Sequence, residues 1–244
     1  MADFSRALPG HLYLIGVGPG ASDLLTLRAI NILAHVDVII APRSSISSES
    51  LALNVVRPHL RDQEVVEHIY PMDRNNDQTA RCWAQMADLS VARLAQGQSV
   101  AHITIGDPLV YSTGAYLLEQ IGDRVAAENI HVISGISAWQ AASALIGETM
   151  LTQNDRLMLL PADNLEALES ALTNCETLVI YKIGKRIQPL LELLQKHDLT
   201  KAARLVCYAE QSKEQVFRNL DELNGERLGY MSTMIVHIGH RSWE

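Results

Sequence analysis

Apolar and polar residues along this 244-residue chain fall into two alternating patterns. Apolar runs of strand length recur, and between them apolar residues return every three or four positions, as on one helix face. His11–Val17 predicts a first strand. Gly18-Pro19-Gly20 turns it, Ser22 is placed to cap the next helix, and Leu24, Leu27, Ile30 and Leu33 give that helix its apolar side. Val36–Ala41 predicts a second strand, apolar apart from Asp37 at its start, as a strand covered on both faces would be, and ends at Pro42-Arg43-Ser44. Ser47–Val56 predicts a helix stopped by Pro58, and Glu64–His68 predicts a third strand leading into Tyr70-Pro71-Met72-Asp73-Arg74. Asp77 is placed to cap a long helix with Trp83, Ala87, Val91 and Leu94 inward and Gly97 at its end. Val100–Ile105 is a fourth strand, Ala115–Ile121 a helix and Ile130–Ile133 a fifth strand. Ser137 and Gln140 have capping-box spacing for a helix over Trp139–Ile146.

The pattern breaks around Gly147–Asp155 and restarts with strand Leu157–Leu160, helix Leu165–Leu172 and strand Thr177–Ile183. Ile187, Leu190, Leu191 and Leu194 mark the next helix, and Leu205–Ala209 the next strand. Gln215–Arg218 and Met231–Ile238 then read as strands with little helix between them. The expected fold is two α/β domains, 1–148 and 149–244, with a cleft between them. The first sheet should be mainly parallel and the second mixed.

A hydrophobic content of 48% supplies real cores, and a net charge of −8 leaves no basic field to attract nucleic-acid phosphates. Cys82, Cys175 and Cys207 are scattered, with neither a zinc spacing nor a disulfide framework, which points to a reducing, cytoplasmic setting. No apolar run approaches the length of a membrane span.

Candidate chemistry gathers where predicted strands end. Val100–Ile105 breaks at Gly106-Asp107-Pro108, with Tyr111, Ser112 and Thr113 crowding polar groups into the same loop. Open α/β sheets place ligands at such strand ends. Gly16, Gly18 and Ala21 also satisfy the dinucleotide pattern G-x-G-x-x-G/A, and Arg43 could meet a 2′-phosphate. Against that reading, Pro19 removes an N–H from the loop that would cradle a pyrophosphate, and no acid ends the second strand.

Taken together, Gly16-Val17-Gly18-Pro19-Gly20 with Asp23-Leu24-Leu25-Thr26-Leu27, Gly106-Asp107-Pro108 with Tyr111, and Gly135-Ile136-Ser137-Ala138 resemble the tetrapyrrole (corrin and porphyrin) methylase family. The match runs in order along nearly the whole chain. Ala41-Pro42-Arg43-Ser44, Tyr70-Pro71-Met72 and Asp107–Thr113 look most like the family's C-20 branch. The resemblance implies transfer of one methyl group from S-adenosylmethionine to C-20 of precorrin-2 or cobalt-factor II, a homodimer, and a cofactor folded in the interdomain cleft. It implies cofactor contacts at Pro19, Ile105, Gly106, Asp107, Val110, Ser137 and Ala138, and in the second domain at Lys182, Ala209 and Thr233. Departures from the family pattern are Ser134 for Pro and Glu210 for Gly, and Lys182 is a variable position.

Methyl transfer suits these residues. The donor arrives activated, and its positive charge disperses in the transition state, so alignment and water exclusion can carry catalysis. No protein metal is needed. A base is required only to remove a proton afterwards, for which Asp107 and Tyr111 are candidates. His102, inside a strand, reads as a core histidine, and Trp83 and Trp139 as core aromatics. For the substrate's carboxylates, Arg43 and Arg74 follow strand ends and offer fork-shaped pairing, ahead of Lys185 and Arg186. The competing readings are another corrin-ring or uroporphyrinogen methyltransferase, a non-catalytic tetrapyrrole carrier, and an NADP-dependent oxidoreductase.

Overall fold

A computed structural model of the chain describes residues 4–43, 49–70, 77–223 and 228–239. Ser44, Ser47, the stretch 71–73 and the candidate Arg74 lie outside the described residues. By packing, the chain divides into two compact units, Met1–Ser137 and Ala138–Glu244.

The first unit holds strands β1 (Leu12–Gly16), β2 (Val38–Arg43), β3 (Glu64–Ile69), β4 (Val100–Thr104) and β5 (Ile130–Ile133). They form one sheet in the order β3-β2-β4-β1-β5, and every pairing is parallel. Helices α1 (Leu27–Leu33), α2 (Leu51–Val56), α3 (Asp77–Ala95) and α4 (Thr113–Ile121) connect them. The largely apolar strands have a simple cause. Side chains alternate between faces, and both faces are covered. Tyr13, Ile15, Ile39, Ala41, Ala101 and Ile103 pack with Ala29, Ile32, Leu53 and Val56 of α1 and α2. Leu12, Leu14, Val38, Ile40 and Val100 pack with Met86, Ala87, Leu94, Leu117 and Ile121 of α3 and α4. Each such buried leucine or isoleucine contributes roughly 1.5–3 kcal/mol.

One helix differs from expectation. Ser22–Leu24 forms only a 3-10 turn, and α1 starts at Leu27, capped by Thr26, whose hydroxyl accepts from the Ala29 N–H at 3.1 Å. The buried face is therefore Leu25, Ala29, Ile32 and Leu33, while Leu27 is 80% exposed. α3 begins with Asp77 in its first turn, where a carboxylate complements the helix N-terminus. Gly97, at φ 78°, closes the chain behind α3 through its N–H to Leu94 O at 2.9 Å.

The second unit begins with α5 (Ala138–Ile146) and continues through β6 (Leu157–Pro161), α6 (Leu165–Ala171), β7 (Thr177–Tyr181), α7 (Ile187–Lys196), β8 (Ala203–Cys207), β9 (Gln215–Phe217) and β10 (Ser232–His237). Its sheet has the order β6-β7-β10-β8-β9. β6 and β7 are parallel, and the other pairs antiparallel, so this sheet is mixed. Leu168 and Leu172, with Leu190 and Leu194 of α7, cover one face through Leu178, Ile180, Leu205, Met234 and Val236.

The expected division after residue 148 would leave α5 with the first domain. By packing it groups with the second, lying against β10 and β8. The chain that follows is tied to the same sheet. Glu148 pairs with Arg204 at 2.8 Å and His237 at 3.1 Å, and Thr177 Oγ1 donates to Met150 O at 2.6 Å. Among the described residues, no helix is long and apolar enough to cross a membrane.

Candidate active site

In the first sheet, β1 and β4 are level at Gly16 and Thr104, and β5 pairs with β1 up to Ile133. Their three exit loops meet just beyond. Gly18 and Gly106 form a two-residue antiparallel bridge, with Gly106 N–H donating to Gly18 O at 2.7 Å and Gly18 N–H to Gly106 O at 3.3 Å. Both are left-handed, at φ 78° and 75°, which glycine adopts freely. Gly16 is needed for another reason. A Cβ there would lie 2.5 Å from Gly106 O and 2.6 Å from Gly135 N. The space over Gly106 is open, with nothing within 4 Å of where its Cβ would be. A ligand can thus reach the backbone at this point.

Asp107 locks the loops together. One carboxylate oxygen accepts from Leu109 N–H at 3.0 Å and the other from Gly135 N–H at 3.2 Å, a residue of the β5 loop. Ser112 caps α4 by accepting from Gly114 N–H at 3.1 Å, and its hydroxyl donates back to Pro108 O. Tyr111, between them, stands at φ 51°. Asp107 is thereby a loop organiser as well as a candidate base.

This geometry removes the dinucleotide reading. The Gly18 N–H is bonded to Gly106 O, and the chain then makes a 3-10 turn before a helix begins at Leu27. No helix N-terminus follows the glycines directly, as a bound pyrophosphate requires.

Of the remaining first-unit candidates, Pro19, Ile105 and Val110 lie in these same loops, and Ser137 and Ala138 where the chain passes into the second unit. Arg43 ends β2, next to β4 in the sheet, with its Nε 3.4 Å from Glu67. His102 is fully buried on β4, its Nε2 3.2 Å from the Tyr70 hydroxyl. Burial, aided by nearby His68, lowers its pKa to about 4. It is a neutral core histidine without access to a ligand. Trp83 is a core residue too, its ring tilted 31° against that of Tyr70 with centroids 4.1 Å apart.

At the second sheet, the ends of β7 and β8 and the start of β10 share one edge: Thr233 pairs with Tyr181 and Val206, and Ser232 with Cys207. Lys182, Ala209 and Glu210 follow directly from those strands, so the second-domain candidates Lys182, Ala209 and Thr233 are brought together. Lys185 and Arg186, in the turn before α7, are exposed near the same edge. Lys182, Tyr208 and Glu210 are all left-handed, at φ 60°, 53° and 59°. Sequence reasoning missed Tyr208, whose N–H donates to Met231 O at 2.7 Å and whose ring lies against Gly229. It also missed the Tyr181 hydroxyl, which accepts from Trp139 N–H at 2.9 Å. Gly229 beside Tyr230 was the available signal for the first; nothing local marks the second.

A profile of the tetrapyrrole (corrin/porphyrin) methylases matches residues 11–224. The chain is 32% identical to the cobalt-precorrin-2 C(20)-methyltransferase of Salmonella typhimurium, over 96% of this chain and 98% of that protein. It is 28% identical to the precorrin-2 C(20)-methyltransferase of a Sinorhizobium species, over 93% and 95%. Its fold resembles a uroporphyrin-III C-methyl transferase of Thermus thermophilus solved with S-adenyl homocysteine, with a TM-score of 0.63, 19% identity, and 93% and 98% of the two chains covered.

Proposed function

Because the chain belongs to the tetrapyrrole (corrin/porphyrin) methylases, we propose that it transfers a methyl group from S-adenosylmethionine to C-20 of precorrin-2 or its cobalt complex, in cobalamin biosynthesis. The observation that carries this is the end-to-end correspondence with the Salmonella C(20)-methyltransferase. The same reading makes the protein a homodimer acting in the cytoplasm on a small-molecule substrate.

The residues suit the donor. Open backbone over Gly106 gives the donor room to approach the main chain, and Lys182 and Glu210 hold left-handed turns at the second edge. We assign the cofactor contacts to Pro19, Ile105, Gly106, Asp107, Val110, Ser137 and Ala138, with Lys182, Ala209 and Thr233. A bound sulfonium supplies an activated methyl group. The chain's own work is positioning: Gly16, Gly18, Gly106 and Gly135 let three loops close on one another, and Asp107 fixes their spacing. Arg43, and Arg74 outside the described residues, are assigned to substrate carboxylates. For Arg43, that role requires the guanidinium to leave Glu67 or to share it.

The test is incubation with methyl-labelled S-adenosylmethionine and either metal-free precorrin-2 or cobalt-factor II, followed by location of the label. One methyl group at C-20 is expected. A label elsewhere on the ring, or none, refutes the assignment. The relative yields decide which substrate is native, and light scattering tests the dimer.

A further inference from the structure

The loop after β4 carries two large exposed apolar side chains, Leu109 at 55% and Tyr111 at 44% exposure. Scattered exposed apolar residues are ordinary on a protein surface, so exposure alone says little. The backbone adds the argument. At φ 51°, Tyr111 holds a left-handed conformation that strains a bulky side chain and that glycine adopts freely. Such a residue persists only where its surroundings impose the conformation, and such strain gathers at functional sites.

Here the surroundings do impose it. The Gly18–Gly106 bridge fixes the start of the loop, Asp107 holds Leu109 N–H and Gly135 N–H, and Ser112 holds Pro108 O and Gly114 N–H. These bonds run through the backbone and the Asp107 and Ser112 side chains, and Tyr111 itself is 44% exposed. Its place in the sheet adds to this. β1 and β4 are neighbours, yet the helix that follows β1 packs on one face of the sheet and the helix that follows β4 on the other. Ligands of open α/β sheets settle outside strand ends where connections diverge in this way.

We propose that Leu109 and Tyr111 form a rigid apolar shelf that receives one face of the tetrapyrrole and sets the ring's position relative to the methyl donor. This rests on the methyltransferase reading above. A tyrosine ring gives large, stiff contact area at small entropic cost, which suits a broad planar ligand. The shelf uses the ring of Tyr111 and not its hydroxyl, so Tyr111 is a positioning residue and not the proton acceptor.

The experiment measures dissociation constants for cobalt-factor II and for S-adenosylhomocysteine, with melting temperatures, on wild type, Tyr111→Gly, Tyr111→Phe and Leu109→Ser. Tyr111→Gly should weaken tetrapyrrole binding about tenfold. It should leave S-adenosylhomocysteine binding within about twofold and should not lower the melting temperature, because the backbone strain is relieved. Tyr111→Phe should restore most of the lost affinity, and Leu109→Ser should lose less than Tyr111→Gly. A folded Tyr111→Gly protein with wild-type tetrapyrrole affinity overturns the shelf. So does a Phe variant as weak as the Gly variant, or equal weakening of both ligands. A wild-type protein that binds S-adenosylhomocysteine but no tetrapyrrole refutes the functional reading itself, whatever the variants do.

Discussion

The two sheets each present an edge of loops, and they shape those loops by different means. At the first edge, backbone packs on backbone, and the tight positions are glycine: Gly16 and Gly135 because a Cβ would strike neighbouring main chain, Gly18 and Gly106 because the chain is left-handed. At the second edge the left-handed positions are Lys182, Tyr208 and Glu210. Hydrogen bonds hold two of these turns: Tyr208 N–H to Met231 O at 2.7 Å, and Glu210 N–H to the Glu214 carboxylate at 2.7 Å. A left-handed residue with a Cβ costs roughly 1–2 kcal/mol. The second edge bears that cost at residues that carry side chains, and hydrogen bonds such as the one from Tyr208 N–H to Met231 O hold the turns in place. The first cannot accept a steric clash, because three loops share one point.

The largest expected effect follows directly. Gly16→Ala pushes a methyl group into Gly106 O and Gly135 N, which belong to rigid main chain. It should destabilise the protein by about 3 kcal/mol or more and abolish S-adenosylhomocysteine binding. Gly184→Ala, near the second edge, has φ 41° but open space around it, and should cost only about 1 kcal/mol. Denaturant titration with calorimetric binding checks both. Equal losses at the two positions would break the comparison.

Acid should separate the two units next. In the first, burial lowers the pKa values of His68, His102 and His131. His102 has its ordinary value of 6.5 when unfolded and about 4 when folded. Its neutral form therefore contributes fully above pH 6.5, and that contribution drains away as the pH falls toward 4. For a fully buried group the loss is on the order of a few kcal/mol. In the second unit the shifted acids lie on the surface. Bonds from Arg156 hold Glu176 at about 2, and Lys196, then His197, lower Glu169. The Glu176 contribution persists until the pH falls below 4.5 and is lost only toward 2. Hydrogen exchange followed by peptide mass analysis should show β1 and β4 losing protection at higher pH than β6 and β7. His102→Gln should flatten the first unit's response.

Asp107→Ala comes third. It removes the acceptor from Leu109 N–H and Gly135 N–H, and charge-assisted bonds of this kind are worth about 1.5–3 kcal/mol each when shielded. Partial exposure of the loop brings the expected loss to about 2 kcal/mol, with weakened S-adenosylhomocysteine binding. Asp107→Asn keeps a single carbonyl acceptor and should fall between the two. If Asp107→Ala loses activity with unchanged stability and binding, the carboxylate acts in the chemistry and not in holding the loops.

Much of this was legible in the chain. Buried strands leave largely apolar runs, so β1, β2, β4, β7 and β10 stand within two residues of their expected positions at each end. The parallel first sheet and mixed second sheet follow from whether helices intervene. What failed was non-local. The phase of α1 depends on the 3-10 turn at Ser22–Leu24, which the apolar spacing of Leu24 and Leu27 conceals. The sequence of α5 does not say which sheet it packs on; its contacts with β10 and β8, and the bond from Arg218 to Ile146 O, decide that. The glycines were visible as motifs, but the partner of Asp107 is 28 residues away, and no spacing rule reaches it.

The smallest expected effect tests the second edge alone. If the left-handed turns at Lys182 and Glu210 are there for their backbone, glycine should serve them better than the native residues. Lys182→Gly and Glu210→Gly each remove a strained Cβ, and each also loosens the unfolded chain, which offsets part of the gain. The net expectation is a stabilisation of about 0.5–1 kcal/mol per site, seen as a raised melting temperature. S-adenosylhomocysteine affinity should hold in both, since a backbone contact survives the change. Tyr208→Gly should behave in the opposite sense despite its similar φ of 53°, because its ring packs on Gly229. A loss of cofactor-product affinity in Lys182→Gly without loss of stability would mean that the ammonium group itself touches the ligand. The second edge would then rely on side chains, and the contrast with the glycine-built first edge would extend from shape to recognition.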